Sequence, residues 1–192
     1  MIQKFEFHET KITELIEITP FYSDDIRGCF IKDYSKDIFE ANGIIHNLSE
    51  VFYAISHKGV IRGLHFQREK QQAKLVRCIS GHIYDVVVDL RPKSLTFQKW
   101  LGFDLTGENH KSILIPGGCA HGYLTLQPSI VSYQCNEKFY SEFDDGIRWN
   151  DPDIGIDWGL EQVGGAERII LSEKDKNLQY FREFMTQYGG LE

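Results

Sequence analysis

His82-Ile-Tyr-Asp-Val-Val-Val-Asp-Leu90 is the stretch that decides the fold class. At the two-residue period of a strand, His82, Tyr84, Val86, Val88 and Leu90 fall on one face, and Ile83, Asp85, Val87 and Asp89 on the other. One face is apolar; the other carries two carboxylates. Arg91-Pro-Lys-Ser94 breaks the run, and Phe97-Gln-Lys-Trp-Leu-Gly-Phe-Asp-Leu105 resumes it before a turn at Gly107-Glu-Asn109. Ser112-Ile-Leu-Ile115 follows, and Pro116-Gly-Gly118 turns the chain into another strand-like segment. Between about residues 50 and 140 such runs recur every eight to twelve residues or so, a spacing that predicts an all-β sandwich or barrel.

Outward from this centre, Leu15-Ile-Glu-Ile-Thr19 and Gly28-Cys-Phe-Ile31 give weaker strand signals, so the first fifty or so residues are expected to extend or cover the sheet. At the other end Ser172 precedes Leu178, Phe181, Phe184, Met185 and Tyr188 at helical spacing behind a capping sequence. This predicts a helix over about 172–188, ended by Gly189-Gly190. Neither a repeat nor a Pro/Ser-rich linker interrupts the chain, and residues 1–192 read as a single domain.

Composition excludes several classes. The chain is 42% hydrophobic and 13% aromatic, without an apolar run near the length of a membrane-spanning helix. Met1-Ile-Gln-Lys-Phe-Glu-Phe-His-Glu-Thr10 is charged throughout and unlike a secretory leader, so a cytoplasmic protein is expected. Cys29, Cys78, Cys119 and Cys135 form no CxxC pair and read as reduced thiols. A net charge of −7 argues against a nucleic-acid surface, which needs a basic stripe. A few arginines gathered in one cleft still suffice for a small diphosphate.

Two histidines and a lysine sit inside short apolar segments, where ionisable groups are expensive unless a site uses them. In Gly59-Val-Ile-Arg-Gly-Leu-His-Phe-Gln67, alternation puts His65 with Ile61, Gly63 and Gln67, and puts Arg62 on the opposite face with Leu64 and Phe66; Gly63 leaves room beside His65. His65 is either a core histidine satisfied by a carbonyl or a base. In Gln72-Ala-Lys-Leu-Val-Arg-Cys-Ile79, Gln72 and Lys74 share a face with Val76 and Cys78. Lys74 is either an edge residue reaching water or an inward cation for an enolate oxygen. Pro116-Gly-Gly-Cys-Ala-His121-Gly-Tyr puts His121 after a turn, where it either ties the loop or joins a site. Tyr133 fits a core or interface phenol, and Asp175, three residues after Ser172, fits a helix cap. A histidine base and a tyrosine acid on opposite sides of one carbon would instead be equipment for epimerisation. His65 is followed by Phe66-Gln67, so the second histidine of a His-x-His metal pair is missing, and neither metal nor cofactor is expected.

These segments, with Gly146-Ile-Arg-Trp-Asn-Asp-Pro-Asp-Ile-Gly-Ile-Asp-Trp158 and Leu171-Ser-Glu-Lys-Asp175, resemble the dTDP-4-dehydrorhamnose 3,5-epimerase family from about Asp25-Ile-Arg-Gly28 to Asp175. The resemblance implies a mainly β, cupin-type jelly roll (double-stranded β-helix) with short flanking helices and a C-terminal helix. It implies a metal-free homodimer acting on a nucleotide-diphospho-4-keto-6-deoxyhexose. It also implies roles: His65 the general base, Asp175 the carboxylate that orients it, Lys74 the enolate stabiliser, and Tyr133 the acid that returns a proton from the opposite face. Arg27 and Arg62 match arginines that hold diphosphate and sugar, and His121 a second pocket histidine.

The chain departs from the family's pattern twice. Where the family commonly reads Gln-x-Asn-His-Ser, this chain has Glu50-Val-Phe-Tyr-Ala54, and where the family has paired tyrosines it has Lys138-Phe-Tyr140. Gln72, Glu50 and Lys138 complete the expected substrate-binding set. Three alternatives stay open: epimerisation at one carbon only, a related 3,4-ketoisomerase, and a non-catalytic jelly roll that binds nucleotide sugars.

Overall fold

The computed structural model describes residues 3–192. Its strands are β1 (Glu6–Glu9), β2 (Ile16–Thr19), β3 (Phe21–Asp25), β4 (Gly28–Lys32), β5 (Glu50–Ser56), β6 (Ile61–Gln67), β7 (Lys74–Asp89), β8 (Trp100–Thr106), β9 (Ser112–Ile115), β10 (Cys119–Cys135) and β11 (Asp144–Gly146). The helices are α1 (Lys36–Ala41), α2 (Glu173–Lys176) and α3 (Phe181–Tyr188).

Two long strands, β7 and β10, pair antiparallel along their whole length and form the spine. Each is shared by two sheets. The first half of β7 pairs β9 and its second half pairs β8, while the first half of β10 pairs β6 and its second half pairs β5. The pairing register slips between Thr125 and Val131, and there the spine bends from one sheet into the other. Gly81 lies at this bend with φ +83°, where a Cβ would sit 2.1 Å from the Pro128 carbonyl oxygen, so only glycine fits. The result is the expected mainly β jelly roll.

The burial of the fold-deciding stretch follows from this. Ile83 and Val87 lie between the sheets with Val76, Ile113 and Val131. Val86, Val88 and Leu90 pack outward against Phe181 and Phe184 of α3. A strand covered on both faces reads as a near-continuous apolar run. A third cluster places Phe39 of α1 over Leu75 and Leu114.

Two boundaries differ from expectation. Ile16–Thr19 extends the main sheet through β9, but among the described residues Gly28–Lys32 pairs only with β3, in a separate hairpin. Pro20, which has no N–H for a ladder, stands where the chain leaves the main sheet. The helical signal over 172–188 is two helices, because the carbonyls of residues 178 and 179 are taken by Arg148: Arg148 N donates to Gln179 O at 3.0 Å and Arg148 Nε to Leu178 O at 2.7 Å. α3 restarts with Glu183 accepting from Tyr180 N at 2.7 Å and ends at Gly189, φ +75°. No helix among the described residues is long and apolar enough to cross a membrane.

Candidate active site

Between the two sheets lies a cavity of about 220 Å³ lined by Arg62, His65, Gln72, Lys74, His121 and Tyr133, with Phe52, Ala54, Phe66, Gln67, Phe139 and Asp144. Six of the ten residues singled out in the sequence therefore share one wall or another of a single chamber. A seventh, Asp175, stands behind His65.

The geometry begins at β6. Between the pairs His65–His121 and Arg62–Tyr123, β6 advances three residues while β10 advances two. This bulge breaks the alternation, so Arg62 joins His65 at the cavity while Ile61, Leu64 and Phe66 share the core beneath α3. Strict alternation had placed Arg62 on the opposite face; the extra residue is the reason it is not. Gly63 also differs in purpose. With φ +131°, a Cβ on it would stand 2.6 Å from Gly122 Cα and 2.9 Å from His121 O. It admits the neighbouring backbone rather than making room beside His65.

His65 Nε2 donates to Asp175 Oδ1 at 2.5 Å. Asp175 N donates to Ser172 Oγ at 3.0 Å, and that hydroxyl donates to Asp175 Oδ2 at 2.7 Å. The helix cap and the histidine partner are thus one construction: the cap locks the carboxylate whose other oxygen orients His65. Burial pushes the Asp175 carboxyl up, but the bonds from His65 and Ser172 outweigh it and hold the group below its ordinary range. An ionised Asp175 keeps the proton of His65 on Nε2 and leaves Nδ1 free to accept one.

Lys74 pairs with Ile115 on one side and Cys135 on the other, so it is interior to the sheet rather than at an edge. Burial lowers its ammonium below the ordinary lysine range, against the opposing influence of Cys135, Asp144 and Asp85. Tyr133 lies on the second half of β10, in the sheet other than that of His65, and its ring stacks on Phe52 with centroids 4.9 Å apart and planes at 11°. Burial, reinforced by Tyr123 and Asp85, raises the Tyr133 phenol well above its ordinary value. Such a phenol keeps its proton until a strong base such as an enolate carbon takes it.

Sequence reasoning missed a second carboxylate–histidine pair. Asp85, 0% exposed, accepts from His121 Nε2 at 2.8 Å, and its Oδ1 has no hydrogen-bond partner among the described residues. Burial raises its carboxyl, with His121 and then Lys74 opposing. The signal was present as an acid alternating with Ile83 and Val87, yet nothing local told it from Asp89, which is equally buried. Asp89 is instead structural, bound by Arg91 Nε at 2.9 Å, Ser94 Oγ at 2.6 Å and Thr96 Oγ1 at 2.7 Å.

Three expected substrate-binding residues, Glu50, Lys138 and Arg27, lie off the cavity wall. Glu50 Oε2 accepts from Phe139 N at 3.1 Å, bracing the 137–140 loop. Lys138 is exposed and offers this region only its carbonyl, which accepts from Gln67 Nε2 at 3.1 Å. Phe139 reaches the cavity in its place. Gln72 Nε2 donates to Glu137 O at 2.9 Å and braces the same loop from the other side. Arg27 is at the tip of the separate β3–β4 hairpin, 84% exposed, ion-paired with Asp25 and absent from the cavity lining. Arg62 Nε donates to Ser56 Oγ at 3.0 Å. Among the described residues, no three His, Cys, Asp or Glu side chains converge as a metal-ligand group.

Residues 9–183 match the family model described as dTDP-4-dehydrorhamnose 3,5-epimerase. The protein of that name from Methanothermobacter thermautotrophicus is 46% identical over 181 residues, covering 94% of this chain and 96% of its own. The epimerase structure from Mycobacterium tuberculosis superposes with a TM-score of 0.91 at 34% identity, covering 97% of this chain and 93% of that one. A dTDP-6-deoxy-D-glucose-3,5-epimerase from Legionella pneumophila, in complex with dTDP-4-keto-L-rhamnose, gives 0.89 at 33% identity, covering 96% and 97%. With the match spanning nearly the whole chain in sequence and in fold, this protein belongs to the dTDP-4-dehydrorhamnose 3,5-epimerase family.

Proposed function

We propose that this chain epimerises a dTDP-linked 4-keto-6-deoxyhexose at C3 and C5 by proton abstraction through an enolate, as a step in deoxysugar precursor synthesis. The observation that carries the reading is the pairing of a carboxylate-oriented histidine on one sheet with a protonated tyrosine on the other, around one cavity. The C4 ketone acidifies the hydrogens at C3 and C5. His65 Nδ1 takes one, Lys74 balances charge on the enolate oxygen, and Tyr133 returns a proton to the other ring face. His121, held by Asp85, stands beside the same oxygen, and Arg62 meets the diphosphate.

Two copies are proposed to assemble. The outer face of β5 exposes Val51, Tyr53 and Ile55 at 54%, 62% and 74%, an apolar strip on an edge strand. Arg27, exposed on its hairpin, then contributes to the partner's site rather than its own. Four unpaired thiols suit a reducing cytoplasm.

Incubation with dTDP-4-dehydro-6-deoxyglucose in deuterated water tests the reading. Deuterium at C3 and C5 with inverted product is expected. Label at one carbon alone would make the chain a mono-epimerase, a carbonyl moved to C3 would make it a ketoisomerase, and tight binding without label would make it a binding module. His65→Ala is expected to remove exchange at both carbons, and Tyr133→Phe to retain exchange while losing inversion.

A further inference from the structure

Phe52 belongs to the segment in which the chain departs from its family, and its geometry gives it a specific task. It is the direct cross-strand partner of Tyr133. Its ring lies parallel to the phenol ring at 4.9 Å and 11°, while His121 meets Tyr133 edge-on at 5.9 Å and 68°. Tyr133 is therefore gripped between a face and an edge. Phe52 itself is half-exposed at the cavity wall, with no polar atom to offer a ligand.

We infer that Phe52 is a positioning residue that holds the Tyr133 hydroxyl at one depth in the cavity, and so sets how often an enolate is protonated on the inverted face. The inference rests on the epimerase reading above. When His65 takes the proton from C3 or C5, the C–H electron pair moves into the enolate. Two returns then compete. His65 can give a proton back to the same face, restoring the starting configuration, with label if the imidazolium has exchanged with solvent. Alternatively the Tyr133 O–H bond breaks as a new C–H bond forms on the other face. The imidazolium and phenolate left by that second path lose and gain one proton with water, so nothing else is consumed. Proton transfer depends steeply on donor position, whereas His65 is held independently by Asp175. Loosening Tyr133 shifts the competition without touching abstraction.

The experiment measures deuterium incorporated per inverted product, with kcat and KM, for the full-length protein and for Phe52→Ala, Phe52→Leu and Phe52→Tyr. Aromatic pairs of this geometry stabilise an arrangement enough to change its population by about two- to tenfold. Phe52→Ala is expected to raise the exchange-to-inversion ratio by about that factor, with KM moved by less. Phe52→Leu, which keeps bulk but not a flat face, is expected to fall between, and Phe52→Tyr to restore the ratio. An unchanged ratio in Phe52→Ala, or an equal loss of exchange and inversion, overturns the assignment. Should Phe52→Ala lower the melting temperature severely, the Leu and Tyr variants decide alone. If the unmodified protein shows no exchange, it is the epimerase reading that fails.

Discussion

Replacing Asp175 by asparagine is expected to cost more activity than replacing it by alanine, although asparagine is nearly isosteric. The carboxylate has two separate partners: Oδ1 accepts from His65 Nε2, and Oδ2 accepts from the Ser172 hydroxyl at 2.7 Å. In Asp175→Asn the Ser172 proton retains an oxygen on its side, which turns the amide NH2 toward His65. An NH2 donor makes Nε2 an acceptor and drives the imidazole proton onto Nδ1, the atom proposed as base. A histidine held in the wrong tautomer loses on the order of 10⁴-fold in hydrolase His–Asp pairs, and a loss of about 10³- to 10⁴-fold is expected here. Asp175→Ala removes a charge-assisted bond worth about 1.5–3 kcal/mol, a loss of roughly 10- to 150-fold, and leaves the tautomer free. The cap bond from residue 175 N to Ser172 Oγ survives both changes, so the melting temperatures of the two variants should stay close to one another, both lacking the ionised carboxylate's contribution. The assay is deuterium wash-in at C3 and C5 under kcat/KM conditions. A larger loss in Asp175→Ala than in Asp175→Asn would refute the tautomer assignment. Ser172→Ala in the Asp175→Asn background, which lets the amide turn over, should recover part of the activity.

Four further outcomes follow. Asp175 is held below the ordinary carboxylate range in the folded state, so the unfolded chain binds more protons than the native one in acid. Its stabilisation is complete above about pH 4 and is lost as pH falls through the lower folded value; Asp175→Asn should therefore flatten the acid limb of a melting-temperature profile, and an unchanged limb would contradict this. Asp85 is the reverse case, raised by burial with one oxygen unpaired among the described residues, so Asp85→Asn should raise the melting temperature by a few degrees while reducing kcat at least about tenfold by exchanging His121's charged partner for a neutral one; a destabilised variant would count against it. Gly63→Ala, which drives a Cβ to 2.6 Å from Gly122 Cα, should destabilise by upwards of about 2 kcal/mol in denaturant melts. If Arg27 serves the partner's site, mixing and re-forming dimers of Arg27→Ala with His65→Ala should restore about a quarter of wild-type activity, because half the dimers are mixed and half their sites intact; no recovery would place Arg27 elsewhere.

The jelly roll was legible because period-two runs such as His82–Leu90 survive in any sheet, and the cavity's chemistry because His65, Lys74, His121 and Tyr133 interrupt apolar strands at a visible desolvation cost. What escaped was contact between distant strands. The partnership of Asp85 with His121 joins positions 36 residues apart, and periodicity assigns a residue to a face without saying what faces it. The bulge in β6 is set by the meeting of Gly63 with Gly122, so alternation misplaced Arg62. Ser172 and Asp175 read as a cap, and they are one; only the fold shows that the cap's second oxygen belongs to His65. The hairpin carrying Arg27 was hidden for a different reason, since Pro20 marks a departure from the sheet without telling where the chain goes.

The bent β7–β10 spine supplies Lys74, Asp85, His121 and Tyr133 from only two strands, whereas Phe52 and Ala54 come from β5, which is bonded to the rest of the sheet along one side only. These ionisable groups and this part of the cavity's apolar wall thus come from different pieces of the chain. Varying Ala54 while keeping Phe52, which holds Tyr133, can re-cut the chamber for a differently decorated hexose, making position 54 on β5 the natural place to begin an engineered change of substrate.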